Sequence, residues 1–349
     1  MPKVKLGDVA REYKATLKQN KGLPVVGLEH ITPGELQLEN WDKDIETTFT
    51  KGFKKGQVLF GRRRAYLKKA AIAPFDGVCS GDITVIEAIP GKILPTLLPF
   101  VIQNDMLFDF AVGKSAGSLS PRVKWENLCN YEFNLPEYEH QEPLVELLQA
   151  AYETKRAYQR QIVATDELVK SQFIEMFGDP ISNSQNRPTV RLDSVVTLQR
   201  GFDLPTSKRN ENGSIPIFGS NGLLGYHDTS MAKDGVVTGR SGTIGQVYCV
   251  HGEYWPLNTS LFSIDTHGNN IDYLAYLLRY FDLTRFYNGT GVPTLNRNDV
   301  HRELIYDIPR DEQEHFVTFA KQSDKSKFEL QESIKRIDGL IKSLMQNEQ

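Results

Sequence analysis

KVKLGDVA at residues 3–10 returns as TVRLDSVV at residues 189–196, and that return decides how the chain is organised. Working outward, Pro24-Val25-Val26-Gly27 is answered by Pro216-Ile217-Phe218-Gly219. Gln57-Val58-Leu59-Phe60-Gly61-Arg62 is answered by Gly235-Val236-Val237-Thr238-Gly239-Arg240. Leu135-Pro136 and Ile308-Pro309 each precede an acidic segment and a glutamine, Gln141 or Gln313, that opens a long charged run. Offsets between counterparts stay between 172 (Gln141 to Gln313) and 192 (Pro24 to Pro216). Two copies of one unit imply approximate internal two-fold symmetry and a partner offering two matching sites.

The totals fit that reading. A chain of 349 residues can hold two domains of ordinary size, each with its own core. Its 40% hydrophobic and 24% charged residues are those of a soluble globular protein. Met1-Pro2-Lys3-Val4-Lys5 has no apolar signal-peptide core, and no run reaches the roughly 18 apolar residues of a membrane span. Cys79, Cys129 and Cys249 are odd in number and far apart, which suggests neither a disulfide framework nor a metal-ligand set, and a reducing cytoplasm is expected. The net charge of −3 gives no global nucleic-acid signal, so any case for DNA rests on local charge.

Each half reads as strand-rich mixed sequence closed by one long helix. Short β-branched and aromatic runs (24–28, 57–61, 85–89; then 214–218, 235–239, 246–250) alternate with Gly, Pro and Asn. A short helix is expected within 93–110 and a helical stretch over 271–286. From Glu142, apolar or small residues recur at Leu144, Leu148, Ala151, Tyr158, Ile162 and Val169, with Lys155 and Thr165 filling the gaps. The same stepping gives Phe316, Ala320, Ser323, Lys327, Leu330, Ile334, Ile337, Ile341 and Leu344. Alternating three- and four-residue steps form a coiled-coil seam, and Gly178 with Pro180 stops the first run. The reading is an α+β chain with domains at 1–138 and 180–309 and long helices at 139–179 and 310–349. The helices are expected to pair antiparallel, with one globular domain at each end.

Lys51 to Lys69 carries Lys51, Lys54, Lys55, Arg62, Arg63, Arg64, Lys68 and Lys69 with no acid among them, and Tyr66 lies inside the run. Arginine can bond guanine O6 and N7 bidentately, while lysines contribute the salt-sensitive phosphate term. The counterpart Gly239-Arg240-Ser241-Gly242-Thr243 has one Arg among small residues, which permits close backbone approach to a polyanion. Three other polar, Gly-rich loops join the candidates: Gly219-Ser220-Asn221-Gly222; 113–122 ending in Arg122, with Lys124 beyond; and 289–297, carrying Thr290, Thr294, Asn296 and Arg297. Enzyme signatures are missing. There is no GxGxxG, no nucleophile elbow and no P-loop, Asp179-Pro180-Ile181 is a helix stop, and the seven histidines, His227 and His251 among them, show no metal-ligand spacing.

These residues resemble the DNA-specificity subunit of type I restriction–modification systems. The resemblance rests on Leu192-Asp193-Ser194-Val195, Gln199-Arg200-Gly201-Phe202, Ile215 to Gly222, Gly235 to Gly245, Trp255 to Ser260 and Val292 to Arg297. Glu139-His140-Gln141 and Asp311-Glu312-Gln313 match the family's closing signature. In the first half Gly61-Arg62-Arg63-Arg64 replaces the Gly-Arg-Ser-Gly-Thr form. The resemblance implies two target-recognition domains, each reading one half of a bipartite, asymmetric duplex DNA site in a prokaryotic cell. It further implies two modification methyltransferase subunits carrying S-adenosylmethionine and, where present, restriction subunits using ATP and Mg²⁺, with no cofactor, metal or catalysis on this chain. The rival expectation is a coiled-coil scaffold whose globular ends bind protein.

Overall fold

The computed structural model describes residues 2–17, 21–117, 119–210, 212–288 and 291–346. They form two compact units. One holds the residues up to Gln159 with those from Gln331 onward, and the other holds Arg160–Leu330. Among the described residues no helix is long and apolar enough to cross a membrane.

The first unit opens with strand Lys3–Lys5, which pairs antiparallel with Glu132–Asn134. Its main sheet runs, from edge to edge, through Ala10–Glu12, Ile83–Ala88, Val58–Gly61 and Ala70–Ile72, all neighbours antiparallel. Gly77–Cys79 follows after the break at Pro74 and pairs parallel with Val25–Val26. Strand side chains alternate between faces. Val58 and Phe60 therefore enter the core beneath helices Leu98–Ile102 and Asp105–Gly113, while Leu59 enters a second core with Val26, Phe53 and Val85. Both faces of Val58–Gly61 are buried, which is why this strand is apolar throughout.

The second unit repeats the plan. Thr189–Arg191 pairs antiparallel with Leu304–Tyr306. Its sheet runs Thr197–Arg200, Ser260–Asp265, Ala232–Gly239, Val247–Pro256, Ile215–Gly219 and Gly222–His227. Val236 enters the core under helix Ile271–Tyr280, and Val237 enters a second core with Val250, Tyr254 and Phe262. Ile217 and Phe218 pair parallel with Trp255 and Pro256, as Val25 and Val26 do with Val78 and Cys79. One continuous strand, Val247–Pro256, stands where the first unit has two strands separated by Ala73-Pro74-Phe75-Asp76. Proline donates no ladder hydrogen bond, which explains the break.

The long helices span Gln141–Phe177 and Arg310–Gln346, and each unit takes a portion of both. Every expected seam position is buried or half-buried, from Leu144 to Val169 and from Phe316 to Leu344. In the first unit Leu148 and Tyr152 share a core with Ile341 and Leu344, and Lys155 pairs with Asp338 at 2.6 Å. In the second, Lys327 pairs with Asp166 at 2.7 Å while Phe173 lies 5.2 Å from Phe316, so the segments run antiparallel there. The two lysines that interrupt the apolar seam each meet a carboxylate, and the pairs are repeat mates (155 to 327 and 166 to 338, both offset by 172). Gly178, at φ +87, ends the first helix, its N–H bonded to Ile174 O and its carbonyl taken by Tyr306 Oη at 2.9 Å.

The repeated glutamines fix these helices to their domains. Gln141 is fully buried; its Oε1 accepts from Leu94 N at 2.8 Å, and its Nε2 donates to Lys92 O and Pro136 O. Gln313, equally buried, accepts from Asn270 N at 2.9 Å and donates to Asn269 Oδ1 and Ile308 O. Each therefore ties a long helix to the proline-bearing segment before it and to the residues leading into an earlier helix. Gln313→Ala strands these partners in a dry site and is expected to cost on the order of 2–3 kcal/mol. Urea unfolding checks this, with exposed Gln322→Ala as a control expected within about 0.5 kcal/mol of the parent.

Candidate nucleic-acid interface

In each unit one central strand delivers an arginine into a bracket of loops. In the first unit Val58–Gly61 runs into Arg62, whose N–H bonds Asp82 O and whose carbonyl accepts from Val123 N. Arg64 N then bonds Pro121 O, and Arg63 bridges Arg122. In the second, Ala232–Gly239 runs into Arg240, whose N–H bonds Thr259 O and whose carbonyl accepts from Leu295 N. Gly242 N bonds Pro293 O, and Ser241 bridges Thr294. Each of these contacts in one bracket has its counterpart in the other. Lys124 and Asn296 complete the match, each at the N-cap of a short helix, Trp125–Leu128 and Arg297–Arg302.

The arginine run and the 113–124 loop are thus one site, as are the 219–222, 239–243 and 293–297 loops. Ser220 lies against both Gly239 and Gly242, and Thr259 against Gly219. A Cβ on Gly239 would sit 1.7 Å from Thr243 O, so glycine is required there for the turn to fold back on itself. Gly201 is held as tightly, with Leu257 O 2.2 Å from where its Cβ would be. That contact brings Gln199-Arg200-Gly201-Phe202 against Trp255-Pro256-Leu257-Asn258, where Phe202 N bonds Pro256 O and Asn258 N bonds Phe202 O.

The chemistry on these equal frames differs. The second bracket is small and polar. Arg240 is half-buried, its Nη1 on Asn258 O at 3.3 Å, and Ser220 and Ser241 are half-buried beside exposed Asn221 and Thr243. Thr294, Asn296 and Arg297 are exposed on the third side, and Asn296 Oδ1 caps its helix by accepting from Asn298 N. The 289–290 pair, and so Thr290, lies outside the described residues.

The first bracket is crowded and cationic. Asp82 accepts from Arg122 Nε at 2.7 Å and pairs with Arg63 Nη1 at 3.3 Å, while Arg63 Nε donates to Ser120 Oγ. Hydrogen bonding from Arg122 outweighs burial and, with the charges of Arg122 and Arg63, holds the Asp82 carboxyl below the ordinary range. A depressed carboxylate pKa means that the pairing is complete at neutral pH and is lost only as pH falls through the lowered value. Arg64 is exposed in the left-handed region at φ 53 and has no ion-pair partner among the described residues; Lys68 is left-handed as well, at φ 51, so the Ala65–Leu67 turn carrying exposed Tyr66 is bounded by two unusual backbone positions. Such strain is concentrated at functional sites.

The fold redistributes the basic run. Lys51 pairs with Glu12, Lys54 with Asp76 and Lys68 with Asp105, acids contributed from elsewhere in the chain. Lys54 and Lys55 turn back beside Asp76, at the opposite end of strand Val58–Gly61 from the arginines, and the structure does not bring them to the bracket. Asp82 and Ser120 are the partners that sequence reading missed. Replacing Asp82 with Ala is expected to free one net positive charge, steepening the slope of log K against log salt by about one and reducing discrimination between target and non-target duplexes. Paired titrations on both duplexes over a salt series check it.

The family described as the type I restriction modification DNA specificity domain matches residues 1–164 and 186–337. The chain is 22% identical over 167 residues to the type I restriction enzyme EcoDI specificity subunit of Escherichia coli, covering 45% of this chain and 35% of that protein. The matched stretch thus spans about a third of the curated relative's length. Among solved structures, a chain from work on complex assembly and conformational transition of the type I R-M system superposes with a TM-score of 0.58 at 18% identity, covering 99% of this chain and 96% of its own. The type I restriction–modification S subunit from M. genitalium superposes at 0.57 with 14% identity, covering 100% and 96%. With a family match over most of both halves and a duplicated fold shared with those structures, the chain belongs to the type I restriction–modification DNA specificity family.

Proposed function

We propose that this chain is the sequence-reading subunit of a type I restriction–modification complex, and that each bracket reads one half of a bipartite, asymmetric site on duplex DNA. The observation that carries this is the pair of brackets, alike in the backbone hydrogen bonds that frame Arg62 and Arg240 and different in what they present. In the first, Arg63 and Arg122 are fixed by Asp82 with Arg64 beside them, an array suited to guanine edges and phosphates. In the second, Arg240 stands among Ser220, Asn221, Ser241 and Thr243, with Asn296 and Arg297 across from it, and offers hydroxyls and amides for mixed base edges. Equal frames with unequal side chains suit two unequal half-sites.

In this reading the chain supplies recognition and no chemistry. Two modification methyltransferase subunits, each carrying S-adenosylmethionine, would act on the target adenine. Restriction subunits using ATP and Mg²⁺ would join where the system includes them. The test is binding by the chain assembled with its modification subunits, over a salt series, to duplexes carrying the methylated genomic motif or a scrambled one. Preference for the motif by about 10³-fold or more is expected. Equal affinity for both would leave a scaffold that binds without reading.

A further inference from the structure

We propose that Cys249, His251 and Asp272 form a binding site in the second unit for a transition-metal dication of the Zn²⁺ class. Cys249 and His251 are two apart on strand Val247–Pro256 and so share one face. Asp272 lies in the first turn of helix Ile271–Tyr280, which packs on that strand. The three donor atoms converge: Cys249 Sγ is 3.6 Å from His251 Nε2 and 3.3 Å from Asp272 Oδ1, and Nε2 is 2.9 Å from Oδ1.

Those separations are close to the edges of a coordination tetrahedron. With metal–nitrogen and metal–oxygen bonds of about 2.0 Å and metal–sulfur bonds of about 2.3 Å, donors sit roughly 3.3–3.5 Å apart. Shifts of a few tenths of an ångström would close three sides around an ion. A thiolate, an imidazole and a carboxylate together suit zinc and its neighbours better than Mg²⁺ or Ca²⁺, which favour oxygen-only sets. Lys321 Nζ holds the other carboxylate oxygen, Asp272 Oδ2, at 2.8 Å, leaving Oδ1 turned to the cluster. His251 is exposed, so the fourth position is open to water.

The geometry argues against a nucleophilic array. There, the histidine meets the thiol and the carboxylate through different ring nitrogens, whereas here one nitrogen, Nε2, faces both. Burial, then the charge of Asp272, pushes the Cys249 thiol up, so it is a neutral thiol before binding. Binding forms the sulfur–metal bond as the thiol proton passes to solvent, one proton per ion. The ion would clamp the strand to the helix and, through Lys321, to the second long helix. Sequence spacing pointed away from metal because the third ligand arrives from a separate element. This site stands independently of the DNA reading.

The test uses the full chain, freed of any affinity tag and of metal, titrated with Co²⁺ and followed by absorbance, with Zn²⁺ added as competitor. One Co²⁺ per chain is expected, with a near-ultraviolet thiolate-to-cobalt charge-transfer band that Zn²⁺ abolishes. Cys249→Ser should remove the band and Cys129→Ser should leave it. His251→Ala, at an exposed position that leaves folding intact, should weaken binding about tenfold or more. Absence of the band in the parent chain, its survival in Cys249→Ser, or unchanged affinity in His251→Ala would overturn the assignment.

Discussion

Phe173→Ala is expected to lower the stability of the second unit by about 3–5 kcal/mol. The side chain is fully buried at the centre of an aromatic cluster: Phe177 and Tyr280 at 5.0 Å, Phe316 at 5.2 Å and Tyr273 at 6.0 Å. All five rings come from the two long helices or the helix Ile271–Tyr280, so the cluster joins three elements at once. Edge-to-face pairs add about 0.5–1.5 kcal/mol each beyond area burial, and a rigid surround collapses poorly on the cavity. For a unit of this size the loss corresponds to a fall in Tm of roughly 6–20 °C. Calorimetry checks it. A fall of only a degree or two would mean that the three elements are not held through this cluster.

Arg240→Ala is expected to cost about 10- to 100-fold in discrimination at one half-site, the worth of one bidentate base contact. Arg240→Lys separates two roles that Ala removes together. Lysine keeps the charge but lacks the planar fork. If Arg240 reads a base, the Lys variant retains the parent's salt slope yet loses discrimination. If Arg240 only neutralises a phosphate, both variants bind all sequences proportionately, and Ala alone flattens the slope by about one. Titration of the assembled complex with duplexes varied in one half-site at a time distinguishes these outcomes. The Arg62/Arg63/Arg64→Ala variant should behave in the same way toward the other half-site while still assembling with its partners.

The chain's architecture was legible because repetition and periodicity are local signals. The seam positions 144–169 and 316–344 are covered as their spacing requires, and Gly178 ends its helix. Gln141 and Gln313 stand out in the sequence as repeated residues at the start of the long helices, and their burial and bonding give the physical reason for the repetition. The sites were less legible, since charge along a chain does not reveal which acid will fold against it. Asp82 sits 19 residues from Arg63 and 40 from Arg122 and reaches both. Lys54 and Arg62 are near neighbours in sequence, yet an intervening strand carries them to opposite ends of the sheet. Nor could spacing show that 121–124 and 293–296 are counterparts, because their side chains share little. Only the hydrogen bonds they make to Arg62, Arg64, Arg240 and Gly242 reveal it.

In the proposed function two equivalent brackets read two different words. Selection of bound duplexes from a random library, by the complex containing the parent chain, Arg240→Ala or Arg62/Arg63/Arg64→Ala, tests it most directly. The parent should enrich two half-sites separated by unspecified positions, and each variant should erase one half-site, a different one in each case, while keeping the other. Loss of the same positions in both variants, or of both half-sites together in either, would contradict the account.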